Sequence, residues 1–366
     1  MHELYHWIAL RLVPGLGNVT CRSLLEHFAS AQRIFSASRQ ELAQVEGVGP
    51  QTADAIRRFN GSDAIHEEIE RIESSGVSAV TYASPLYPAY LKRIYDPPPM
   101  LYCRGSLAPA DNAAMAVVGS RSASDYGRRA AGDICRELSR AGLTIVSGMA
   151  RGIDSIAHGA ALAAGGRTIA VLGCGVDVVY PPENKKLYDR IAESGAILSE
   201  YGMGTKPVAY NFPARNRIIS GMSLGVLVVE AGMQSGSLIT ARVALEQGRE
   251  VFAVPGSIYS FKTKGAHSLI RSGAKLVEGA ADIIEELRPA CLARADAGPA
   301  PPDAASELEP DQQRLYALLR ESPVHIDDLI LQANLPSGRI SSMLLEMELS
   351  GLVQQLPGKR FARMCA

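Results

Sequence analysis

Hydrophobic and polar positions follow different periods in different parts of this chain. Between residues 113 and 288, short near-continuous apolar runs rich in β-branched residues occur at Ala114–Gly119, Thr144–Met149, Thr168–Cys174, Ala196–Tyr201, Leu224–Ala231 and Val251–Pro255. Between most of them lie helical patterns, at Tyr126–Ala141, Ile153–Ala164, Glu183–Glu193, Arg215–Gly221 and Leu238–Gln247. Strands that are apolar on both faces and alternate with helices predict a mostly parallel sheet covered on both sides, a Rossmann-like doubly wound α/β domain. Ligands in such sheets bind beyond the carboxyl ends of the strands.

The flanking segments read differently. Residues 1–108 are mostly helical by period, with a connector, and contain two similar turns: Val13-Pro-Gly-Leu-Gly17 before a helix at Val19–Phe28, and Val45-Glu-Gly-Val-Gly49 before a helix at Thr52–Phe59. Each has the Gly-x-Gly of a helix-hairpin-helix. Such a turn can hold a phosphate on the free N–H groups of the next helix, or it can simply be tight. The acidic surroundings favour the plain turn. The Rossmann-like domain is assigned to 109–288. Residues 289–306 lack a hydrophobic period and carry four prolines, which predicts an extended linker. Residues 307–366 read as helices Asp311–Arg320, His325–Ala333 and Gly338–Ser350 followed by a short hairpin, the pattern of a winged helix.

Charge narrows the search. The whole chain has 37 basic and 38 acidic side chains, which excludes a bulk-basic nucleic-acid protein. Residues 113–288 carry 20 basic against 16 acidic, whereas 1–112 carry 10 against 12 and 307–366 carry 6 against 8. An anion-binding site is therefore expected in the central domain. The six cysteines form no C-x-x-C pair, which argues against a zinc ribbon and for reduced thiols in the cytoplasm. The first residues lack the basic start and apolar core of a signal peptide, and no apolar run reaches the ~20 residues needed to span a bilayer.

Five predicted strand ends open into glycine and small polar residues. Gly119-Ser120-Arg121 offers a free turn, a hydroxyl and a guanidinium fork. Gly148 through Asp154 and His158 offers backbone donors and Arg151. Asp154 and His158, four apart on one helix face, are either an acid/base pair or a structural pair. The absence of a nucleophile or of metal-ligand spacing favours the structural pair. Lys185 and Lys186 at a helix start are misplaced beside the positive dipole end unless an anion lies near. Arg215, Asn216 and Arg217 follow Pro213 in the same unfavourable position, where an anion or a buried acid would relieve them, with Phe212 as a stacking platform. Tyr180 and Tyr188 are further stacking candidates. Gly236 and Ser237 open a last phosphate nest, which is not a Walker A motif. Cradles in a row favour a polyanion over a mononucleotide, and the aromatic residues favour an unpaired strand.

These stretches, Val-Gly-Ser-Arg, Ser-Gly-Met-Ala-Arg-Gly-Ile-Asp, Ala-Val-Leu-Gly-Cys-Gly-Val-Asp, Phe-Pro-Ala-Arg-Asn-Arg-Ile-Ile-Ser-Gly, Gln-Ser-Gly-Ser-Leu-Ile-Thr-Ala-Arg and Val-Pro-Gly-Ser, resemble those of the DNA-processing protein A family (DprA, or Smf) from Val117 to Val277. The flanks resemble a sterile-alpha-motif-like helical domain and a small winged-helix domain. The resemblance implies a cytoplasmic, non-enzymatic protein without cofactor or metal. It would bind single-stranded DNA during natural transformation, protect it, displace single-strand-binding protein and load the RecA recombinase. It further implies that Arg121 contacts the DNA backbone and that Ser120, Gly148, Arg151, Arg215, Asn216 and Arg217 line the same pocket. Relatives carry lysine directly after Tyr-Pro, where this chain has Pro182; Lys185 or Lys186 would have to substitute. A homodimer is implied through the segment holding His267, Ile270 and Leu276, whose plain alternative is an edge helix packed on its own sheet. In the winged helix, Glu346 and Glu348 beside Arg339 point to protein contact or an accessory role, and only Lys359, Arg360 and Arg363 favour DNA. The enzyme-class alternative is a phosphoribohydrolase-like nucleotide enzyme. Its loop signature is degraded here to Ala231-Gly-Met-Gln-Ser-Gly-Ser, which leaves Glu230 or Glu200 as candidate carboxylates.

Overall fold

The computed structural model describes residues 2–295, 310–319, 324–333, 335–349, 353–356 and 359–363. The chain divides into two compact units, Met1–Arg288 and Pro289–Ala366.

The first unit begins with helices α1 (His2–Leu12), α2 (Asn18–Phe28), α3 (Ala31–Ser36), α4 (Arg39–Leu42), α5 (Pro50–Arg58) and α6 (Ser62–Ser74). The two matched turns are present: Gly15 (φ 75°) and Gly47 (φ 82°) adopt left-handed backbone, and Gly17 and Gly49 stand extended before α2 and α5. The first turn abuts the sheet, because Asn18 at the start of α2 donates to Glu200 Oε2 at 3.5 Å.

The sheet comprises β1 (Ser78–Thr81), β2 (Met100–Gly105), β3 (Ala114–Gly119), β4 (Thr144–Ser147), β5 (Thr168–Val171), β6 (Ala196–Ser199), β7 (Gly225–Val229), β8 (Glu250–Ala253) and β9 (Lys275–Leu276). Its order is β1-β2-β6-β5-β4-β3-β7-β8-β9. The strands from β6 across to β9 run parallel, while β2 pairs antiparallel with β6 and β1 with β2. The interleaved helices are α7 (Asp125–Arg140), α8 (Ile153–Ala163), α9 (Lys185–Ser194), α10 (Asn211–Gly221), α11 (Gly236–Glu246) and α12 (Lys264–Arg271), followed by α13 (Ala280–Ala295).

Alternate strand residues supply two different cores, which is why the strand sequences are mostly apolar. Leu101, Val118, Val171 and Leu198 pack in one core with Ile218 of α10 and Ala241 of α11. Tyr102, Ala170 and Ile197 pack in the other with Tyr188 of α9 and with Ile8, Leu10 and Ile69 of the N-terminal helices. The helical segment thus shares a core with the sheet.

Two expected boundaries change. Strands β1 and β2 fall inside 1–108 and extend the sheet, so a division at 108 separates strands that pair. They escaped notice because β1 has only four residues and prolines crowd the intervening loop. Helix α13 runs past Pro289 to Ala295, into the expected linker, where Ala290, Leu292, Ala293 and Arg294 are good helix formers. Residues 296–306 of that linker lie outside the described residues.

The second unit contains α14 (Pro310–Leu318), β10 (Val324–His325), α15 (Ile326–Ala333), α16 (Ser337–Leu349), β11 (Val353–Leu356) and β12 (Arg360–Arg363), with the strands in the order β10-β12-β11. Leu315, Leu329, Ile340, Leu344 and Phe361 form its core, the expected winged-helix arrangement. Arg339 on α16 pairs with Asp311 at 2.7 Å, so the cation expected there is held within the unit.

Among the described residues no helix is long and apolar enough to cross a membrane, and no group of three or more His, Cys, Asp or Glu is placed to hold a metal ion. Cys21, Cys103, Cys135 and Cys174 are free and buried.

Candidate nucleic-acid interface

The strand order reverses at β3: successive crossovers carry the chain to β4, β5 and β6 on one side and to β7 and β8 on the other. Loops leaving β3 and β7 consequently diverge and leave a crevice at the carboxyl edge of the sheet. A cavity of about 660 Å³ lies there, lined by Gly119 and Arg121 after β3, Ala150 after β4, Tyr180, Phe212, Arg215 and Asn216 around α10, and Ser235, Gly236 and Ser237 at the start of α11.

Close backbone approach shapes its walls. A Cβ on Gly119 would lie 1.9 Å from the Val229 carbonyl oxygen, so only glycine lets the β3 loop leave beside β7. Glu230, 3% exposed, then ties the two loops together: it accepts from Ser124 N at 2.8 Å and from the Ser124 hydroxyl, while Ser124 caps α7 by accepting from Gly127 N. Glu230 sits at φ 52° and Met149 at φ 61°, left-handed conformations that non-glycine residues adopt rarely and that cluster at sites held in place by their surroundings.

Arg121 is exposed at the mouth of the cavity and forms no ion pair among the described residues. Ser120 turns its hydroxyl oxygen to Ser122 N at 3.2 Å and its carbonyl to Ile153 N, so it shapes the loop that presents Arg121. Facing it, Phe212 and Tyr180 pack ring against ring, with centroids 5.5 Å apart and planes 33° apart, both half-exposed on the cavity. Gly236 and Ser237 bring the N-terminus of α11 to the same wall, where backbone N–H groups favour an anion.

Arg215 forms the floor. It is 5% exposed and donates to the carbonyl oxygens of Gly148, at 2.9 Å, and Val171. Asp154 lies nearby and supplies the balancing charge. Gly148 must be glycine because a Cβ there would come 2.6 Å from the Arg215 guanidinium. Asn216 lines the cavity and accepts from Arg215 Nε at 3.2 Å.

Several expected contacts are placed elsewhere. Arg217 is largely buried on the far side of α10, where it pairs with Glu200 at 2.6 Å and Asp96 at 2.8 Å; the misplaced cation is answered by one largely buried and one half-exposed acid, not by a ligand. Arg151 is exposed, pairs with Glu183 and lines a smaller cleft that shares Arg121, Ala150, Tyr180, Phe212 and Arg215 with the cavity. Lys185 pairs with Asp189 at 2.5 Å one turn along α9. Neither Lys185 nor Lys186 lines the cavity. Gly148 N and Ala150 N both point inward to Asp154 Oδ2, at 3.2 Å each, so the expected donor cradle after β4 is already filled. Tyr188 is buried with its hydroxyl on the Val176 carbonyl and cannot stack on a base.

Asp154 and His158 are not an acid/base pair. His158 is fully buried, with Nδ1 2.7 Å from Thr168 Oγ1, and burial pushes its pKa down to about 3. Glu200 and Glu230, the carboxylates left open for an enzyme, hold Arg217 and Ser124 respectively. In the other candidate patch, His267 binds its own Gly256 backbone through Nε2, Ile270 is half-buried on α12, and Leu276 is 45% exposed on the sheet-edge strand β9.

Asp154, expected in a structural pair that orders its loop, does brace the β4 loop through Gly148 N and Ala150 N. Sequence reasoning missed Asp96, a counter-charge reaching α10 from the loop before β2; it left no signal, being 121 residues away from Arg217 in the chain.

Comparison with known proteins places these features together. Residues 78–288 match the model of DNA recombination-mediator protein A, residues 299–359 that of the DprA winged helix domain, and residues 8–69 that of a helix-hairpin-helix motif. Protein Smf of Synechocystis is 35% identical over 99% of both chains. DNA processing protein DprA of Streptococcus pneumoniae is 44% identical, covering 74% of this chain and 94% of its own, and an X-ray structure of DprA from that organism superposes with a TM-score of 0.68, at 39% identity over 77% of this chain and 97% of the other. DNA processing protein A of Helicobacter pylori, solved for its single-stranded DNA binding mode, gives a TM-score of 0.53 at 31% identity over 58% of this chain and 96% of the other. The central match starts at β1 and ends within α13, the span of the nine-stranded sheet, and Smf pairs along almost the whole length. The chain belongs to the DNA recombination-mediator protein A (DprA/Smf) family.

Proposed function

We propose that the protein binds single-stranded DNA at the carboxyl edge of its sheet and acts as a recombination mediator. In this role it protects incoming DNA during natural transformation, displaces single-strand-binding protein and loads the RecA recombinase. The observation that carries the binding step is Arg121: an exposed guanidinium, without an ion pair among the described residues, at the mouth of a cavity that also presents an aromatic pair and a helix N-terminus. An arginine fork suits phosphate, and an aromatic face suits any unpaired base. The Helicobacter pylori relative, described by its single-stranded DNA binding mode, supports the same ligand.

The proposed role is non-enzymatic. A nucleotide-hydrolysing site needs a free carboxylate in the cavity; Glu200 and Glu230 are engaged in holding the fold, and Asp154, which lines the cavity, accepts from Gly148 N and Ala150 N. We place the homodimer contact at α12 and β9, where Ile270 is half-buried on the helix and Leu276 is exposed on the edge strand of the sheet. Linked copies raise the effective concentration of binding sites along one strand.

The experiment is a strand-exchange assay with RecA on DNA coated by single-strand-binding protein. The full chain should restore exchange and the Arg121→Glu chain should not. Base release from nucleoside monophosphates would contradict the non-enzymatic role.

A further inference from the structure

Beside the central cavity, a second cleft of about 660 Å³ opens between the loop after β3 and the loop leading into α12; it is lined by Arg121, Ser122, Met233, Phe261, Lys262 and Lys264, among others. It shares Arg121 and Ser235 with the first cavity, so the two are continuous. Among the described residues no carboxylate lines it, whereas Asp154 lines the central one. The cationic stretch sought near α9 is therefore found on the opposite flank.

The loop carrying it presents apolar side chains to solvent: Ile258, Tyr259 and Phe261 are 72%, 93% and 73% exposed. Its backbone is nevertheless held. Thr263 Oγ1 bonds the carbonyls of Ser257 and Ser260 at 2.6 and 2.9 Å, Ser260 N bonds Ser257 O at 3.1 Å, and Lys262 Nζ reaches across to the Ser122 carbonyl at 2.6 Å. Gly265 N, just beyond, bonds the Ala231 carbonyl at 2.7 Å, joining the loop to the one after β7. A hydrogen-bonded loop that keeps aromatic rings in water beside three cations is a surface prepared for a ligand with both flat apolar faces and negative charge.

We propose that an unpaired strand seated in the central cavity continues past Arg121 into this second cleft. There a base stacks on Phe261, and Lys262 and Lys264 hold the flanking phosphates. This rests on the single-stranded DNA reading above and extends its site from one cavity to two.

The test measures affinity of the full chain for oligothymidylates of about 5 and about 20 nucleotides, lengths that bracket the footprint of one binding module. Phe261→Ala should weaken binding of the longer strand about tenfold, leave the shorter one unchanged, and be rescued by Phe261→Trp. Lys264→Ala should lower the slope of log affinity against log salt by about 0.7, the release expected from one phosphate contact on a single strand. If Arg121→Glu abolishes binding while both second-cleft variants behave as wild type, the second cleft is refuted and the central site stands. Absence of single-stranded DNA binding by the wild type would instead defeat the underlying reading. If Phe261→Ala converts a dimer into a monomer by light scattering, the loop is a protein contact and the proposal is overturned.

Discussion

Arg215 and Arg217 are two residues apart on α10 and have opposite fates. Arg215 points under the cavity and braces the β4 and β5 loop carbonyls; Arg217 points away and joins Glu200 and Asp96. Removing Arg217 leaves the largely buried Glu200 uncompensated while solvent screens the half-exposed Asp96, so Arg217→Ala should destabilise the fold by about 2 kcal/mol and lower the thermal midpoint by several degrees. Calorimetry checks this, and an unchanged midpoint would count against the network. His158 gives a pH prediction. Its folded pKa, about 3, lies below the ordinary value of 6.5, so the unfolded chain takes up a proton near pH 6.5 that the folded chain refuses until about pH 3. Its contribution to stability is complete above pH 6.5 and declines as the pH falls toward 3. His158→Gln should flatten the stability profile between pH 6.5 and 4 relative to wild type, read by denaturant titration at each pH.

At the scale of elements, the strands and helices of the central domain are legible because both sheet faces are covered and most strand residues are apolar. The site was legible only in part. Gly119, Arg121, Phe212 and Gly236 converge because the strand reversal at β3 brings separate loops together, and each sits on a strand–loop–helix junction visible in the chain. What was not legible is which cations are free. Arg151, Lys185 and Arg217 look alike in sequence, but Glu183, Asp189 and Glu200 each claim one. Such pairings depend on packing, not on local pattern. The junction itself is held by Glu230. Glu230→Gln, which weakens the bonds to Ser124, should loosen the start of α7 and raise amide exchange at Ser124 and Gly127 with little change elsewhere; unchanged exchange there would sink this role.

For the whole molecule, the first 288 residues behave as one unit because the N-terminal helices share a core with the sheet. Charged ties strengthen the join: Arg11 donates to the Glu200 carbonyl at 2.6 Å, and Glu68 accepts from Met203 N at 3.0 Å. Truncation before β1 should therefore yield insoluble or misfolded protein instead of a free-standing sheet domain, checked by expression and far-UV circular dichroism of residues 78–288. The dimer proposal is independent of this core. Ile270→Glu at the exposed edge should give a monomer of unchanged fold by light scattering, and a mass equal to that of wild type would move the contact elsewhere.

The most direct measurement is fluorescence anisotropy of the full chain with a single-stranded oligonucleotide and with a duplex of equal length, in wild type and Arg121→Glu, across a salt series. The cavity geometry predicts preference for the single strand, affinity that falls steeply with salt as counterions are released, and loss of that binding in Arg121→Glu with no change in thermal midpoint. Equal or tighter duplex binding, or single-strand affinity that survives the Arg121 substitution, would contradict the placement of the DNA site at the carboxyl edge of the sheet.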